Sequence, residues 1–268
     1  MEVDQMLEAV LYAVVSVTVI GLLCAVMLVV AAKFMSVPEN ETKKALRECL
    51  PGANCGACGY TGCDGYAEAL CNGEKTNLCI PGGDATSKAI SDTLGVEFVD
   101  TIEQAAVVRC CGDCNVATIK AEYDGIKTCA GAMMIYGGEK LCTYGCLGFG
   151  DCANACPNDA ICIENGIAHV DPRRCTGCGL CAKTCPNSVI EMRVLVKNTA
   201  ISCSNKEKGA VARNKCKNAC IACKKCEKTC PEGAITVADN LASIDYSKCT
   251  NCGACVEACP VGCIKKVG

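Results

Sequence analysis

The sequence predicts an α+β protein in which one transmembrane helix precedes several small cysteine-rich domains. Cysteine is unusually frequent, with 31 among 268 residues, whereas tryptophan is absent and aromatic residues make up only 4%. A long uncharged segment lies near the N-terminus, and the C-terminal half of the chain repeats itself. Because aromatic side chains are scarce, we expect no single large core, and bound metal is the usual stabiliser of such small domains.

The N-terminal segment predicts a membrane anchor over residues 1–35. Residues 9–32 carry no charged side chain, and these 24 residues can cross a bilayer as one helix. Glu2 and Asp4 precede a run that is longer than the apolar part of a signal peptide, so we expect the helix to be retained. The positive-inside rule then places the remainder in the cytoplasm, because Lys33, Lys43, Lys44 and Arg47 follow the span. We expect the membrane to be the plasma membrane of a prokaryote.

The charge pattern argues against nucleic acid as a partner. The formal net charge is −3, and Lys and Arg are scattered without a basic stripe. Nucleic-acid binding needs a clustered basic face. The reducing cytoplasm also disfavours disulfides, so the cysteines are expected to bind metal.

The C-terminal half contains an internal repeat with an offset of 74 residues. The segment "CPNDAICIENGIAHVD" aligns without a gap to "CPEGAITVADNLASID". We therefore predict two tandem modules, over residues 136–198 and 199–268. Nine cysteines of the first copy recur in the second: Cys129, Cys142, Cys146, Cys152, Cys156, Cys175, Cys178, Cys181 and Cys185 correspond to Cys203, Cys216, Cys220, Cys226, Cys230, Cys249, Cys252, Cys255 and Cys259.

The cysteine runs favour iron–sulfur clusters over zinc. The run "CTGCGLCAKTCP", residues 175–186, follows the pattern CxxCxxCxxxCP. Zinc also suits paired CxxC motifs. The third cysteine, the proline after the fourth and the nested duplication instead indicate [4Fe–4S] sites, and the fourth cysteine of such a run ligates the neighbouring cluster. The apolar segments "AICI", "VIEM", "AITV" and "CIKK" after each CP pair predict short strands.

Residues 140–268 resemble two bacterial-type double [4Fe–4S] ferredoxin domains, and this resemblance implies specific ligands. One cluster would take its ligands from Cys175, Cys178, Cys181 and Cys156, another from Cys249, Cys252, Cys255 and Cys230, and a third from Cys220, Cys223, Cys226 and Cys259.

One loop of the first module departs from the ferredoxin pattern. In "CTYGCLGFGDC" the middle position of CxxCxxC is Phe149 instead of cysteine. We expect Cys142 to replace the missing ligand. A three-iron cluster, or a role for Cys142 in another site, stays open, and so does the role of Cys216. The expected ligand set is Cys142, Cys146, Cys152 and Cys185.

The region between the anchor and the repeat has two parts. Residues 36–95 contain Cys55, Cys58, Cys63 and Cys79, and "CGACGYTGCDGYAEAL" resembles a small four-cysteine [4Fe–4S] domain. The segment "ATSKAISDTLG" predicts a helix that Gly95 closes.

The second part is a mixed connecting region over residues 96–135. Three segments could form strands, namely "VEFV", "AAVVRC" and "ATIKAEY". Cys110, Cys114 and Cys129 could hold a further cluster with Cys111 or Cys142 as the fourth ligand, and structural packing is the alternative. Cys203 and Cys263 have no assigned partner. His169 is expected to be a strand residue without a ligand role.

The order of these parts is similar to that in the B subunits of the Rnf complex. "GANCGACGYTGCDGYAEAL", "YGCLGFGDC" and "CTGCGLCAKTCP" are the segments that carry the resemblance. It implies that the chain takes electrons from reduced soluble ferredoxin and passes them to membrane partner subunits. Those partners would reduce NAD⁺ and translocate Na⁺ or H⁺.

We accordingly expect five [4Fe–4S] clusters, with a sixth left open, and no flavin or NAD on this chain. The chain shows no complete catalytic acid–base set. The expected partners are ferredoxin, other membrane subunits and lipid. Two alternatives remain: a relay subunit of another membrane oxidoreductase of the hydrogenase or quinone reductase type, and a membrane-tethered zinc protein.

Overall fold

A computed structural model of the chain describes residues 2–34, 40–195 and 198–267. It has two compact units, Met1–Lys44 and Ala45–Gly268. The first unit contains helix α1, Glu2–Phe34. Its window Val14–Ala31 has a mean hydropathy of 2.9 and is long and apolar enough to cross a membrane. The expected anchor boundary between residues 35 and 36 lies outside the described residues.

The second unit begins with a small helical domain. Helices α2 (Glu41–Cys49), α3 (Cys63–Cys71) and α4 (Gly83–Leu94) enclose a core of Leu46, Tyr66, Leu70 and Ile90. Helix α4 ends at Gly95, whose left-handed φ of 67° provides the stop that the sequence predicts.

Four two-stranded antiparallel sheets follow within the described residues, and each contains a strand that directly follows a CP pair. The four strands that the sequence predicts at these places are confirmed. The pairs are β1 (Gln104–Val108) with β4 (Ile190–Val194), β2 (Ile161–Glu164) with β3 (Ile167–Val170), β5 (Thr199–Ile201) with β8 (Ile264–Lys266), and β6 (Ile235–Ala238) with β7 (Leu241–Ile244).

Short helices accompany these sheets and bring the cysteine loops together. Each of them spans two turns or fewer, so packing rather than helix propensity stabilises it. They are α5 (Cys129–Met134), α6 (Asp151–Asn154), α7 (Leu180–Thr184), α8 (Gly209–Lys215), α9 (Lys225–Thr229) and α10 (Ala254–Ala258).

The connecting region contributes a strand to the first ferredoxin module. Of its three expected strands, only "AAVVRC" is confirmed, as β1, which pairs with β4 across 82 or more residues of sequence. The expectation for "VEFV" is wrong, because residues 96–99 form no strand and three of their apolar side chains are exposed. The expectation for "ATIKAEY" is also wrong, since Ala117 and Ile119 make only isolated bridges.

A buried lysine joins three segments of the first module. Lys140 is 6% exposed, and its Nζ donates hydrogen bonds to the carbonyl oxygens of Gly112 (2.8 Å), Cys146 (2.9 Å) and Gly166 (2.7 Å). A buried charge is tolerated only with such compensation. Lys140 therefore holds the chain after β1, a cysteine loop and the β2–β3 turn in one place.

Candidate metal centres

The first candidate centre, site 1, consists of Cys55, Cys58, Cys63 and Cys79. Burial, and then the nearby thiols Cys63, Cys58 and Cys55, raise the pKa of Cys79, so the four sulfurs share one neighbourhood. Gly56 and Gly59 have φ values of +67° and +90°, which let the loop turn tightly between its cysteines. The four cysteines that the sequence predicts for this domain therefore come together.

Site 2 contains Cys156, Cys175, Cys178 and Cys181. Burial first, then the neighbouring thiols Cys175, Cys178 and Cys156, raise the pKa of Cys181 to about 11. The fourth predicted ligand thus reaches this site from the preceding run.

Two backbone N–H groups point at the sulfurs of site 2. Ala160 donates to Cys156 Sγ at 3.4 Å, and Ala106 donates to Cys175 Sγ at 3.5 Å. Because Ala106 belongs to β1, the connecting region supports this site directly.

Site 3 differs from the sequence-based expectation. The cavity beside Cys146, Cys152 and Cys185 is lined by Cys129 and not by Cys142. Burial first, then Cys146, Cys129 and Cys185, raise the pKa of Cys152 to about 12. The fold thus brings Cys129, and not Cys142, to the place of the missing loop cysteine.

Two contacts explain why Cys129 reaches site 3. The carboxylate of Asp151, at the start of α6, accepts the N–H groups of Cys129 (2.9 Å) and Ala130 (3.0 Å) and so seats the start of α5 on α6. Phe149 makes an edge-to-face contact with Tyr123 at a centroid distance of 5.4 Å. Both contacts hold the segment that precedes Cys146 against the loop.

Sites 4 and 5 lie in the second module, and their cysteines cross between runs as the ferredoxin resemblance implies. One cavity contains three cysteines of the first run together with the last cysteine of the second run, and the other cavity has the converse set. Site 4 comprises Cys220, Cys223, Cys226 and Cys259, and site 5 comprises Cys230, Cys249, Cys252 and Cys255.

Cys263 lies beside site 4 and has no counterpart in the sequence-based expectations. Its Sγ is 3.6 Å from Cys259 Sγ. Hydrogen bonds from the Cys263 thiol lower the pKa of Cys259 to about 5 and that of Cys220 to about 6. The corresponding residue of the first copy is Val189, so the repeat carried no signal for this contact.

The expected set of Cys110, Cys114 and Cys129 is not brought together. Cys129 belongs to site 3, and Cys114 is exposed. Cys110 instead lines a separate cavity, which we call the intermodule pocket. Its other cysteines are Cys111, Cys142, Cys203 and Cys216. His169 is an exposed residue on β3, as expected.

The donor chemistry of sites 1–5 fits iron–sulfur clusters. In the described ranges no three His, Cys, Asp or Glu side chains converge closely enough to hold a single metal ion. In a [4Fe–4S] cluster each of the four irons takes one thiolate, so four separated thiols around a common space match its demand. N–H groups directed at sulfur are the outer contacts that such clusters use.

Three family models match this chain and cover the regions of most of these sites. A model for an Fe-S cluster matches residues 50–81, a 4Fe-4S binding domain model matches residues 168–191, and a 4Fe-4S dicluster domain model matches residues 219–263. Iron–sulfur domains and the expected fold class are thereby confirmed.

Full-length relatives identify the family. The chain is 42% identical over 97% of its length to the B subunit of the Na(+)-translocating ferredoxin:NAD(+) oxidoreductase complex of Acetobacterium woodii, and it covers 78% of that protein. The chain belongs to the family of B subunits of ion-translocating ferredoxin:NAD(+) oxidoreductase complexes. The B subunit of a proton-translocating complex from Clostridium ljungdahlii is 41% identical over 91% of this chain and is itself covered to 87%. The B subunit of an ion-translocating oxidoreductase complex from Methanosarcina acetivorans is 38% identical over 86% of this chain and is covered to 88%.

Proposed function

We propose that this chain is the electron-transfer subunit of a membrane complex that oxidises ferredoxin, reduces NAD⁺ and translocates Na⁺ or H⁺. The observation that carries the proposal is the presence of five four-thiol sites within one compact unit, residues 45–268. Iron–sulfur clusters bound there would supply reversible one-electron carriage. The ligand set of each site is part of this proposal.

Short helices and one side-chain hydrogen bond connect neighbouring sites. Lys183, on α7, donates a hydrogen bond from Nζ to the carbonyl oxygen of Cys55 at 2.7 Å, which joins site 1 to site 2. Helix α7 itself begins beside Cys181 of site 2 and ends before Cys185 of site 3. In the second module, α9 and α10 connect sites 4 and 5 in the same way. Short, rigid connections of this kind suit electron transfer.

We further propose that helix α1 anchors the chain in lipid and that the second unit faces the cytoplasm. The acidic residues Glu2 and Asp4 precede the span, and Lys33 follows it. Because residues 9–32 carry no charged side chain, the apolar part of α1 offers no charge for an ion path. Ion translocation is therefore assigned to partner subunits.

Reduced ferredoxin is proposed to dock on the second module beside site 4. Residues 199–268 contain eleven Lys and Arg against six Asp and Glu, whereas the whole chain is net negative. Cys223 of site 4 is exposed, and Lys224, Lys225 and Lys228 around it are exposed as well. Clusters add negative charge to a ferredoxin, so an exposed lysine group would attract it and speed the encounter.

The test uses the full chain, loaded with clusters and purified without oxygen. Reduced ferredoxin should produce the EPR signals of reduced [4Fe–4S] clusters, and the double variant Lys224→Glu/Lys225→Glu should slow this reduction about tenfold at low salt. Reduction by dithionite should not change. Lys88→Glu, at an exposed lysine of the helical domain, is the matched control. Clusters that dithionite reduces but ferredoxin does not would contradict the proposed donor.

A further inference from the structure

The intermodule pocket contains a sixth concentration of cysteines. Five of them line it, and they come from the connecting region and from both ferredoxin modules. The three family-model matches, at residues 50–81, 168–191 and 219–263, include none of these five residues. The members are Cys110, Cys111, Cys142, Cys203 and Cys216.

The internal repeat relates three of these cysteines, Cys142, Cys203 and Cys216, to the cysteines of sites 1–5. Cys142 and Cys216 are equivalent positions in the two copies, and both line the same pocket. Cys203 is the equivalent of Cys129, which site 3 uses because Phe149 occupies the loop position. In the second copy Cys223 restores the loop ligand at that position, so Cys203 is not needed for site 4.

Contacts with two glycines show how closely three of the sulfurs lie. A Cβ added to Gly112 would lie 3.3 Å from Cys216 Sγ and 3.6 Å from Cys110 Sγ. A Cβ added to Gly145 would lie 3.4 Å from Cys110 Sγ and 3.8 Å from Cys142 Sγ. Cys110, Cys142 and Cys216 therefore border one common space, which glycine leaves open at both positions.

The hydrogen bonds of the sulfurs distinguish three cysteines, which accept, from Cys111, which donates. Cys110 accepts the N–H of Gly112 at 3.4 Å, and Cys203 accepts the N–H of Cys220 at 3.4 Å. The Nδ2 group of Asn205 donates to Cys142 Sγ at 3.5 Å.

Cys216 and Cys111 complete the comparison. Cys216 Sγ borders the same space as Cys110 Sγ, beside Gly112. The Sγ of Cys111 instead donates to the carbonyl oxygen of Asn218 at 3.6 Å, which requires a protonated thiol. Three of the five sulfurs thus accept hydrogen bonds as cluster ligands do, Cys216 borders the space of Cys110, and Cys111 donates instead.

We propose that Cys110, Cys142, Cys203 and Cys216 ligate a sixth [4Fe–4S] cluster between the two ferredoxin modules. Each thiol would release one proton when its sulfur binds iron. The site stands on its own geometry, whereas its role as a relay rests on the proposed function.

A cluster at this position would close the gap between the modules. Cys142 lies four residues before Cys146 of site 3, and Cys203 Sγ accepts the N–H of Cys220 of site 4. With it, the sites form one uninterrupted series: site 1, site 2, site 3, the intermodule pocket, site 4 and site 5.

The decisive experiment counts metal and needs no ferredoxin. The full chain and its variants are loaded with iron and sulfide without oxygen, and iron, sulfide and zinc are measured together with native mass spectra. Six clusters correspond to about 24 iron atoms per chain, and Cys142→Ser or Cys216→Ser should each lower this to about 20. Cys162→Ser, at an exposed cysteine of β2, is the control and should keep all of them.

Non-additivity provides a second criterion. If Cys142 and Cys216 serve one cluster, the double serine variant should also retain about 20 iron atoms. A double variant with about 16 would place the two cysteines in different clusters and overturn the proposal. Unchanged iron in both single variants, or loss of zinc instead of iron, would overturn it as well.

A matched pair of serine variants tests whether Cys203, and not Cys111, is the fourth ligand in the intermodule pocket. Cys203→Ser should lose the cluster, whereas Cys111→Ser should keep it, and the reverse pattern would overturn the assignment of Cys203. EPR signals of the five remaining clusters after dithionite reduction show that each variant is folded. Failure of ferredoxin to reduce a chain with about 24 iron atoms would contradict the proposed function and leave the sixth site intact.

Discussion

The two ferredoxin modules share one backbone plan but distribute their cysteines differently. Both contain a β-hairpin, two short helices and two crossed four-thiol sites at an offset of 74 residues. The first has Phe149 where the second has Cys223. The loop residue therefore correlates with whether an upstream cysteine lines the neighbouring site: Cys129 does so in the first module, whereas its equivalent Cys203 lines the intermodule pocket.

The modules also differ in how distant in sequence their stabilising contacts are. The second pairs β8 with β5, the strand just before its first cysteines. The first pairs β4 with β1, which lies in the connecting region, and it takes the N–H of Ala106 for site 2. Its site 3 needs Asp151 to hold Cys129, whereas the equivalent residue of the second module is Lys225. The first module thus depends more on contacts with segments that are distant in sequence.

The largest expected effect comes from exchanging the two loop arrangements. Cys129→Ser should remove the cluster of site 3, a loss of about four iron atoms per chain. Adding Phe149→Cys to this variant should restore them, because the loop then matches that of the second module. Iron analysis of the full chain measures both steps. If Cys129→Ser keeps its iron and Cys142→Ser loses the signal of site 3, the assignment of Cys129 is wrong.

Lys140 offers a stability comparison between the modules. Lys140→Met leaves three carbonyls, two of them in buried residues, without their donor and should lower the free energy of unfolding by roughly 3 kcal/mol. The equivalent position of the second module is Asn214, which is exposed. Asn214→Met should change the free energy of unfolding by less than about 0.5 kcal/mol. Anaerobic denaturant unfolding of the full chain in detergent compares the two. Equal effects would show that the Lys140 contacts contribute little.

The left-handed loop positions also correspond between the copies. Gly148 has a φ of +84°, and its equivalent Ala222 has a φ of 53°. Gly148→Ala would put a Cβ 2.4 Å from the carbonyl oxygen of Gly166 and should cost roughly 2 kcal/mol.

Ala222→Gly should have the opposite sign in the same unfolding experiment. It relieves a left-handed alanine and should stabilise the second module by up to about 1 kcal/mol. A loss of stability in both variants would show that the two loops are not equivalent in energy.

Cys263 should give the smallest effect. Cys263→Val copies Val189 of the first module, so packing should be retained, and all iron should stay bound. Because the thiol donates hydrogen bonds to Cys259 and Cys220, its removal should make the reduction potential of site 4 more negative. An EPR-monitored redox titration measures this shift, with Cys162→Val as the control. Loss of about four iron atoms would instead identify Cys263 as a ligand.

Local spacing was enough to predict much of this protein. The apolar span, the helix that Gly95 closes and the strands after each CP pair follow from residues near one another in sequence. The three cysteines of a CxxCxxC loop also meet without help from the rest of the chain. The crossed positions of Cys156, Cys185, Cys230 and Cys259, each beside the other run of its module, were predicted from the repeat and its resemblance to ferredoxins.

Contacts between segments that are distant in sequence could not be predicted from local spacing. Cys129 and Cys142 both precede Cys146, and no spacing rule says which of them lies beside Cys146 and Cys152. Cys129 lies there because Asp151 and the contact of Phe149 with Tyr123 hold its segment against the loop. The pairing of β1 with β4, the position of Cys263 and the gathering of Cys110, Cys142, Cys203 and Cys216 likewise depend on how separate segments pack. Sequence thus determines which thiols a loop can offer, and tertiary packing determines which thiols from different segments share a site.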